Sequence, residues 1–249
     1  MDASPRVWVE DAVPPEIVVH DAPGPCAYLP DRLWRLPLRL PVRPLSRREL
    51  DERLTAGDRR QGRLLYRASC PECQACVPLR VDVACFEPSR TQRRVFARGE
   101  RLIRVEHGRL GVSAERVELY NRHKAARGLG TGNDETGAEV YGLVLADSCC
   151  DSFEMRYFLG EELLGVAVVD RAERALSAVY CYYDPAHARL SPGTYSILKQ
   201  IDLARSWGMR HLYLGLYIAE CRPMAYKARF FPHEQLHDGV WIRVERPPR

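Results

Sequence analysis

Three cysteines at strict three-residue intervals, Cys70, Cys73 and Cys76, stand in the stretch YRASCPECQACVPLRVDVACFEPSRTQRR from Tyr66 to Arg94. Intervals of this length let a backbone fold round an ion as a knuckle, and a tetrahedral site needs four ligands. Cys26, bracketed by Pro and Gly in PGPCAYLPDR, is the fourth ligand this reading selects, because Cys85 sits inside a strand-like run. Cys26, Cys70, Cys73 and Cys76 would then hold zinc or an iron–sulfur centre; the alternative is a loop of reduced thiols. The same stretch ends in Arg90, Arg93 and Arg94. Guanidinium forks bind carboxylates bidentately and also bind phosphate, so this cluster reads as a substrate-binding site for an acidic group or as an RNA contact.

The charge around these residues favours a polyanion. Over the whole chain of 249 residues the net charge is only +4, yet between Arg32 and Arg104 there are 18 Arg against 8 Asp or Glu, which is +10 and leaves −6 for the remainder. Nucleic acid is the commonest partner of such a footprint. Arginine so dominates the 37 basic residues that Lys124, Lys199 and Lys227 are the only lysines. Nine cysteines, no signal-peptide pattern at Met1 and no apolar run long enough for a bilayer point to a reducing cytoplasm. His107, His123, His187, His211, His233 and His237 have no Ser or Cys nucleophile motif beside them, which excludes a hydrolase triad; most read as surface or strand-end residues.

The elements that must position these groups fall into two parts. Residues 1–45 are Pro-rich and read as loops and short extended pieces. Ser46 and Glu49 form a capping box for a helix that ends at Gly57, with Leu50 and Leu54 as its apolar pair. Leu64–Tyr66 and Leu79–Phe86 have strand character on either side of the cysteines, and Ser89–Arg101 is a basic helix or turn. Ser113 caps a helix to about Arg127. Strands follow near 153–159, 163–169 and 176–183, then a helix over 195–207, a strand over 211–218, a loop and a last strand over 240–244. The expectation is α+β: a small N-terminal cysteine-containing basic domain (1–105) packed on a mixed α/β domain (106–249).

Helix, three strands, helix, strand resembles the order in acetyltransferase-like (GNAT-like) folds. Coenzyme A use is disfavoured, because where that fold carries a Gly-rich pyrophosphate turn this chain has Arg189-Leu190-Ser191-Pro192-Gly193-Thr194, and Pro192 removes a backbone donor. A second resemblance covers nearly the whole chain. Pro25-Cys26-Ala27-Tyr28-Leu29-Pro30, CPECQACVPLRV from Cys70, Pro88–Arg94, Leu176–Tyr180, Tyr183-Asp184-Pro185, Gly193-Thr194-Tyr195, Tyr213-Leu214-Gly215 and Met224–Phe230 resemble bacterial aminoacyl-tRNA–protein transferases of the leucyltransferase branch, relatives of the eukaryotic arginyltransferases. Two stretches depart from that pattern: Arg122-His123 is followed by Lys124-Ala125-Ala126-Arg127-Gly128, and Leu216-Tyr217 replaces a Tyr-Trp pair.

The resemblance implies transfer of an amino acid, leucine before arginine, from aminoacyl-tRNA to the α-amine of proteins beginning with Asp or Glu, marking them for degradation. It implies no cofactor for the chemistry and no membrane or DNA partner. In such a reaction Lys227, Tyr226 and Arg229 would lie near the reacting ester as catalytic residues, and the guanidinium forks of Arg93 and Arg94, with Arg90 beside them, would take the acceptor carboxylate or else tRNA phosphate. Ser177 and Tyr180, three apart on a regular strand, face opposite ways and are not expected to act together. A non-catalytic cysteine-knuckle RNA-binding protein and a coenzyme A-dependent acyltransferase are the competing readings.

Overall fold

The computed structural model describes residues 7–128 and 135–247. Prolines bar helix from the start of the chain but tolerate edge strands. That stretch accordingly forms β1 (Val7–Val9), β2 (Glu16–His20), β3 (Gly24–Pro25), β4 (Leu33–Trp34) and β5 (Leu38–Pro41). With β6 (Arg59–Gln61) and β7 (Leu64–Tyr66), three of them make a five-stranded sheet ordered β1-β2-β5-β7-β6, while β3 and β4 pair across the Cys26 loop. Helix α1 (Arg47–Thr55) has the expected reciprocal capping bonds between Ser46 and Glu49 and buries Leu50 and Leu54.

The larger sheet has eight strands. Its members are β8 (Val77–Asp82), β9 (Ile103–Gly108), β10 (Ser152–Leu159), β11 (Glu162–Arg171), β12 (Ala175–Tyr183), β13 (His211–Tyr217), β14 (His233–His237) and β15 (Val240–Val244), in the order β15-β14-β8-β13-β12-β11-β10-β9. Strand β8 enters it from before residue 106 and β9 runs across that point, so the sheet spans the division expected at 105/106. One face is covered by α2 (Arg90–Leu102) and α5 (Pro192–Ser206), whose Val95, Tyr195, Leu198 and Ile201 pack on Leu79, Met155, Ala167 and Leu176. The other carries α3 (Ala114–Arg127) and α4 (Ala138–Tyr141), with Leu119 and Tyr141 against Val166, Val168 and Tyr182. The result is a mixed α/β fold with helices on both faces. Among the described residues no helix is long and apolar enough to cross a membrane.

Two irregularities of the sheet shape its centre. Strands β12 and β13 are parallel but pair only at Ala175–Ser177 against His211–Tyr213, and beyond that they part. In β12 the register against β11 slips, with Val169 opposite Ala178 and Val168 opposite Tyr180, so Val179 is an extra residue. A bulge of this kind resets the two-residue alternation. Leu176, Ala178 and Cys181 therefore pack towards α5, while Val179, Tyr180 and Tyr182 pack towards α3. Ser177 stands on the face opposite Leu176, so the expectation that Ser177 and Tyr180 face apart is overturned by the bulge.

Candidate functional site

The gap between β12 and β13 is occupied by a charged side chain. Arg59, the first residue of β6, donates from one terminal nitrogen to Ser177 Oγ at 2.9 Å and from the other to the Ala178 carbonyl at 3.0 Å. Its guanidinium lies over Gly215, whose φ of +80° suits glycine and where an added Cβ would stand 3.0 Å from Arg59 Cζ. The next residue of β13 meets a second cation, for Lys227 Nζ donates to the Leu216 carbonyl at 2.6 Å, with Met224 Sδ at 3.7 Å. Arg59 and Lys227 are each only 8% exposed. Burial pushes Lys227 down to about 7; the Arg59 charge adds to this, and Cys221 and Cys76 oppose it.

Lys227 is held by a short helical segment. Residues Arg222–Ala225 form α6 and Tyr226–Arg229 a 3₁₀ turn, between β13 and β14. Ala228 and Phe230 pack into the α2–α5 core, and Phe86 stacks on Phe230 with centroids 6.1 Å apart. Gln92 of α2 donates from Nε2 to the Arg229 carbonyl at 3.2 Å. Of the three residues expected near the ester, Lys227 is thus buried at the base, whereas Arg229 is exposed. Tyr226 is 37% exposed, yet burial pushes its hydroxyl up to about 12, with Cys181, Arg127 and Tyr183 as neighbours. Tyr180, also raised by burial, has Tyr120, Cys181, Arg127 and Tyr28 around it. Tyr28 thus neighbours Tyr180 and Tyr183 neighbours Tyr226, with Arg127 near both Tyr180 and Tyr226.

Arg90, Arg93 and Arg94 lie elsewhere. Ser89 caps α2 with a full capping box to Gln92, and the amphipathic turn that buries Gln92 and Val95 turns all three arginines to solvent. Arg93 bonds the Pro88 carbonyl at 2.7 Å and borders a groove of about 160 Å³ between α2 and α5, lined also by Phe96, Leu198 and Arg205. This groove is on the α5 face of the sheet, away from Ser177.

The cysteines share one neighbourhood. The Tyr28 and Arg35 amides donate to Cys26 Sγ at 3.5 Å and Cys70 Sγ at 3.4 Å, and burial with Cys70, Cys26, Cys73 and Cys221 close by pushes Cys76 up to about 11. Among the described residues, however, no three Cys, His, Asp or Glu side chains form a group that could hold an ion. Cys26, Cys70, Cys73 and Cys76 thus lie in one region without forming such a group, and no chemistry is derived through a metal. Cys85, read as part of a strand, is exposed just past β8, whose last residue is Asp82. Among the histidines, His211 and His233 are buried but begin β13 and β14, as a strand-end reading has it, and His123 is buried within α3, where its Nδ1 lies 3.0 Å from the Tyr183 carbonyl.

Arg59 carries no motif signal of its own. The doublet Arg59-Arg60 looks like two surface charges in a turn, and only the pairing of β6 with β7 shows both to be buried.

Comparison with known proteins gives a consistent picture. Residues 24–94 match the N-terminal region, and residues 115–237 the C-terminal region, of the family described as arginine-tRNA-protein transferase. The chain is 40% identical over 220 residues to the aspartate/glutamate leucyltransferase of Thiobacillus denitrificans, covering 88% of this chain and 91% of that one. It is 38% identical over 220 residues to the protein of the same name from Chromobacterium violaceum, covering 88% and 90% respectively. Among solved structures FemX is similar at a TM-score of 0.42 and 10% identity, over 67% of this chain and 59% of that one.

Proposed function

This chain belongs to the family of aspartate/glutamate leucyltransferases, and we propose that its donor is leucyl-tRNA, its site the cleft between β12 and β13, and its product a protein marked for degradation in the cytoplasm. It is an aminoacyltransferase that moves an amino acid from aminoacyl-tRNA to the N-terminus of proteins beginning with Asp or Glu. The observation that supports leucine is the 40% identity to a leucyltransferase across nine-tenths of that relative's length.

In the reaction the acceptor α-amine attacks the ester carbonyl that joins the amino acid to the terminal ribose. A C–N bond forms, the ester C–O bond breaks, and the proton lost by the amine balances the one gained by the leaving ribose oxygen. An α-amine titrates at about 7.7 to 8.0, so on the order of a tenth is already neutral at pH 7. A dedicated base would recover about tenfold, whereas holding two reactants in attack geometry is worth roughly 7 to 11 kcal/mol. Positioning is thus the main task of the cleft. Tyr226 and Lys227 border the reacting ester, and Arg229, exposed on the same turn, meets the tRNA end.

The exposed Arg90, Arg93 and Arg94 suit the phosphates of the tRNA, since solvated guanidinium groups on a helix face give up bound counterions at little desolvation cost. The larger sheet is GNAT-like in its order of helix, three strands, helix and strand and in the parting of its parallel pair. Coenzyme A is a poor fit, because α5 opens with Pro192 at its first turn and Ser191 makes no side-chain cap. Incubation with an Asp-leading peptide and either leucyl-tRNA or arginyl-tRNA tests the reading by mass spectrometry. A leucine increment dependent on leucyl-tRNA is expected. An arginine increment would overturn the donor, and tRNA binding with no increment would favour a non-catalytic RNA-binding protein.

A further inference from the structure

Two basic side chains, the guanidinium of Arg59 and the amine of Lys227, lie buried in the cleft without a counter-charge. Among the described residues no carboxylate stands within 4.0 Å of Arg59 or Lys227, whereas the adjacent Arg60 is paired to Asp170 at 2.6 Å and Arg39 to Glu16 and Asp58 at 3.0 and 2.7 Å. Buried charges are normally paired, because each costs several kcal/mol to desolvate. A fold that pairs its other buried arginine but leaves these two facing consecutive β13 residues, Gly215 and Leu216, keeps a place for an anion.

The donor inventory agrees. A guanidinium has five N–H groups. Ser177 Oγ and the Ala178 carbonyl take one each, which fixes the plane of Arg59 and leaves the others for a ligand. Ser177 and Gly215 have no charge and serve as the anchor and the floor.

Resting on the family reading above, we infer that Arg59 and Lys227 together form the subsite that binds the side-chain carboxylate of the acceptor's N-terminal Asp or Glu. Arg59 is the specificity-determining residue, and the α2 arginines are left to RNA. A phosphodiester is the less suitable occupant. It carries a ribose on either side and could not bring its oxygens to two groups that are each more than nine-tenths buried, whereas a carboxylate on one or two methylenes enters end-on.

The test uses the full chain and peptides that differ only in N-terminal Asp or Asn, at saturating leucyl-tRNA. Wild-type kcat/KM should favour Asp. Arg59→Gln, which keeps a neutral donor for Ser177, should reduce that preference by about 10- to 100-fold, the loss of one charge-assisted pair, through KM for the peptide. Lys227→Met should reduce the same preference and serves as the second variant if Arg59→Gln does not fold. A preference retained in either folded variant, or equal loss with both peptides, overturns the assignment. A rise in KM for leucyl-tRNA matching the loss of peptide turnover would give the subsite to RNA and also overturn it. Calorimetric binding of the two peptides needs no transfer and reads the same preference. Asp-selective binding that depends on Arg59 in a protein that transfers nothing would refute the family reading and leave the subsite standing.

Discussion

The pH dependence of acceptor choice follows from the burial of Lys227. Its folded-state pKa, about 7, lies below the ordinary 10.5, so the fold favours the neutral amine and the ammonium is lost as pH rises through about 7. Arg59 faces it as a like charge, Cys221 and Cys76 as opposing groups, and the Leu216 carbonyl and Met224 Sδ as neutral partners. In the free protein about nine-tenths of Lys227 is ammonium at pH 6 and about one-tenth at pH 8. If the ammonium pairs with the acceptor carboxylate, its share of the Asp-over-Asn preference in kcat/KM should fall by up to about ninefold between those pH values and then level off. The plateau belongs to Arg59. The α-amine titrates in both peptides at about 7.7 to 8.0 and so cancels in the ratio. Initial rates with the two peptides, from pH 6 to 9 at constant ionic strength, supply the measurement. A ratio that is flat or rises would refute the reasoning. Rates that rise together at a constant ratio, in a rise near pH 7 that Lys227→Met abolishes, would make Lys227 a general base instead. In Lys227→Met the ratio should be low and independent of pH.

Other substitutions separate the remaining roles. Arg93→Glu and Arg94→Glu should weaken binding of charged tRNA and reduce the slope of log K against log salt by about 0.7 to 0.9 for each phosphate no longer neutralised, while the Asp-over-Asn preference persists; loss of the preference would return these residues to the acceptor site. Ser89→Ala should cost about 1 kcal/mol in urea denaturation through its cap, whereas Gln92→Ala should lower both stability and turnover, because Gln92 also holds the Arg229 carbonyl; equal turnover in the two variants would remove that link. Cys76, with its thiol pushed up to about 11, has on the order of one thiolate per thousand at pH 8 and should lag the exposed Cys85 in alkylation followed by peptide mass spectrometry, and fast labelling of Cys76 would contradict its burial.

Local signals in the sequence are reliable wherever a side chain acts on its own backbone. Ser46, Ser89 and Ser113 each cap the helix expected after them, and the three strands between residues 152 and 183 stand where alternation puts them. Signals fail where the cause is tertiary. Strand β9 is a half-exposed edge, and the pairing that makes 233–237 a strand comes from β8 and β15, the first of them distant in the chain. The extra residue Val179 has no composition cue, yet it alone puts Tyr180 on the face of Ser177. The three-residue spacing of Cys70, Cys73 and Cys76 does bring the thiols near Cys26, but spacing says nothing of Cys221, which arrives from beyond β13. The arginine cluster of α2 is visible as a cluster; that its helix turns those residues outward depends on Gln92 and Val95 facing the core.

Exposure is what divides the arginines by task. A phosphate backbone is met by groups that remain in water, where each interaction is weak, additive and sensitive to salt. A single carboxylate must be told from an amide of nearly the same shape, and that needs donors already desolvated and fixed, so that the wrong side chain leaves them unpaired. The exposed row on α2 meets the first requirement and the Arg59–Lys227 pair the second. One short turn touches both: Arg229 gives its carbonyl to Gln92 of α2, and Lys227, two residues earlier, lies against β13. A tRNA phosphate on α2 and an acceptor carboxylate at Lys227 would therefore bear on the same turn from its two sides, with the Gln92 bond to the Arg229 carbonyl as its link to α2.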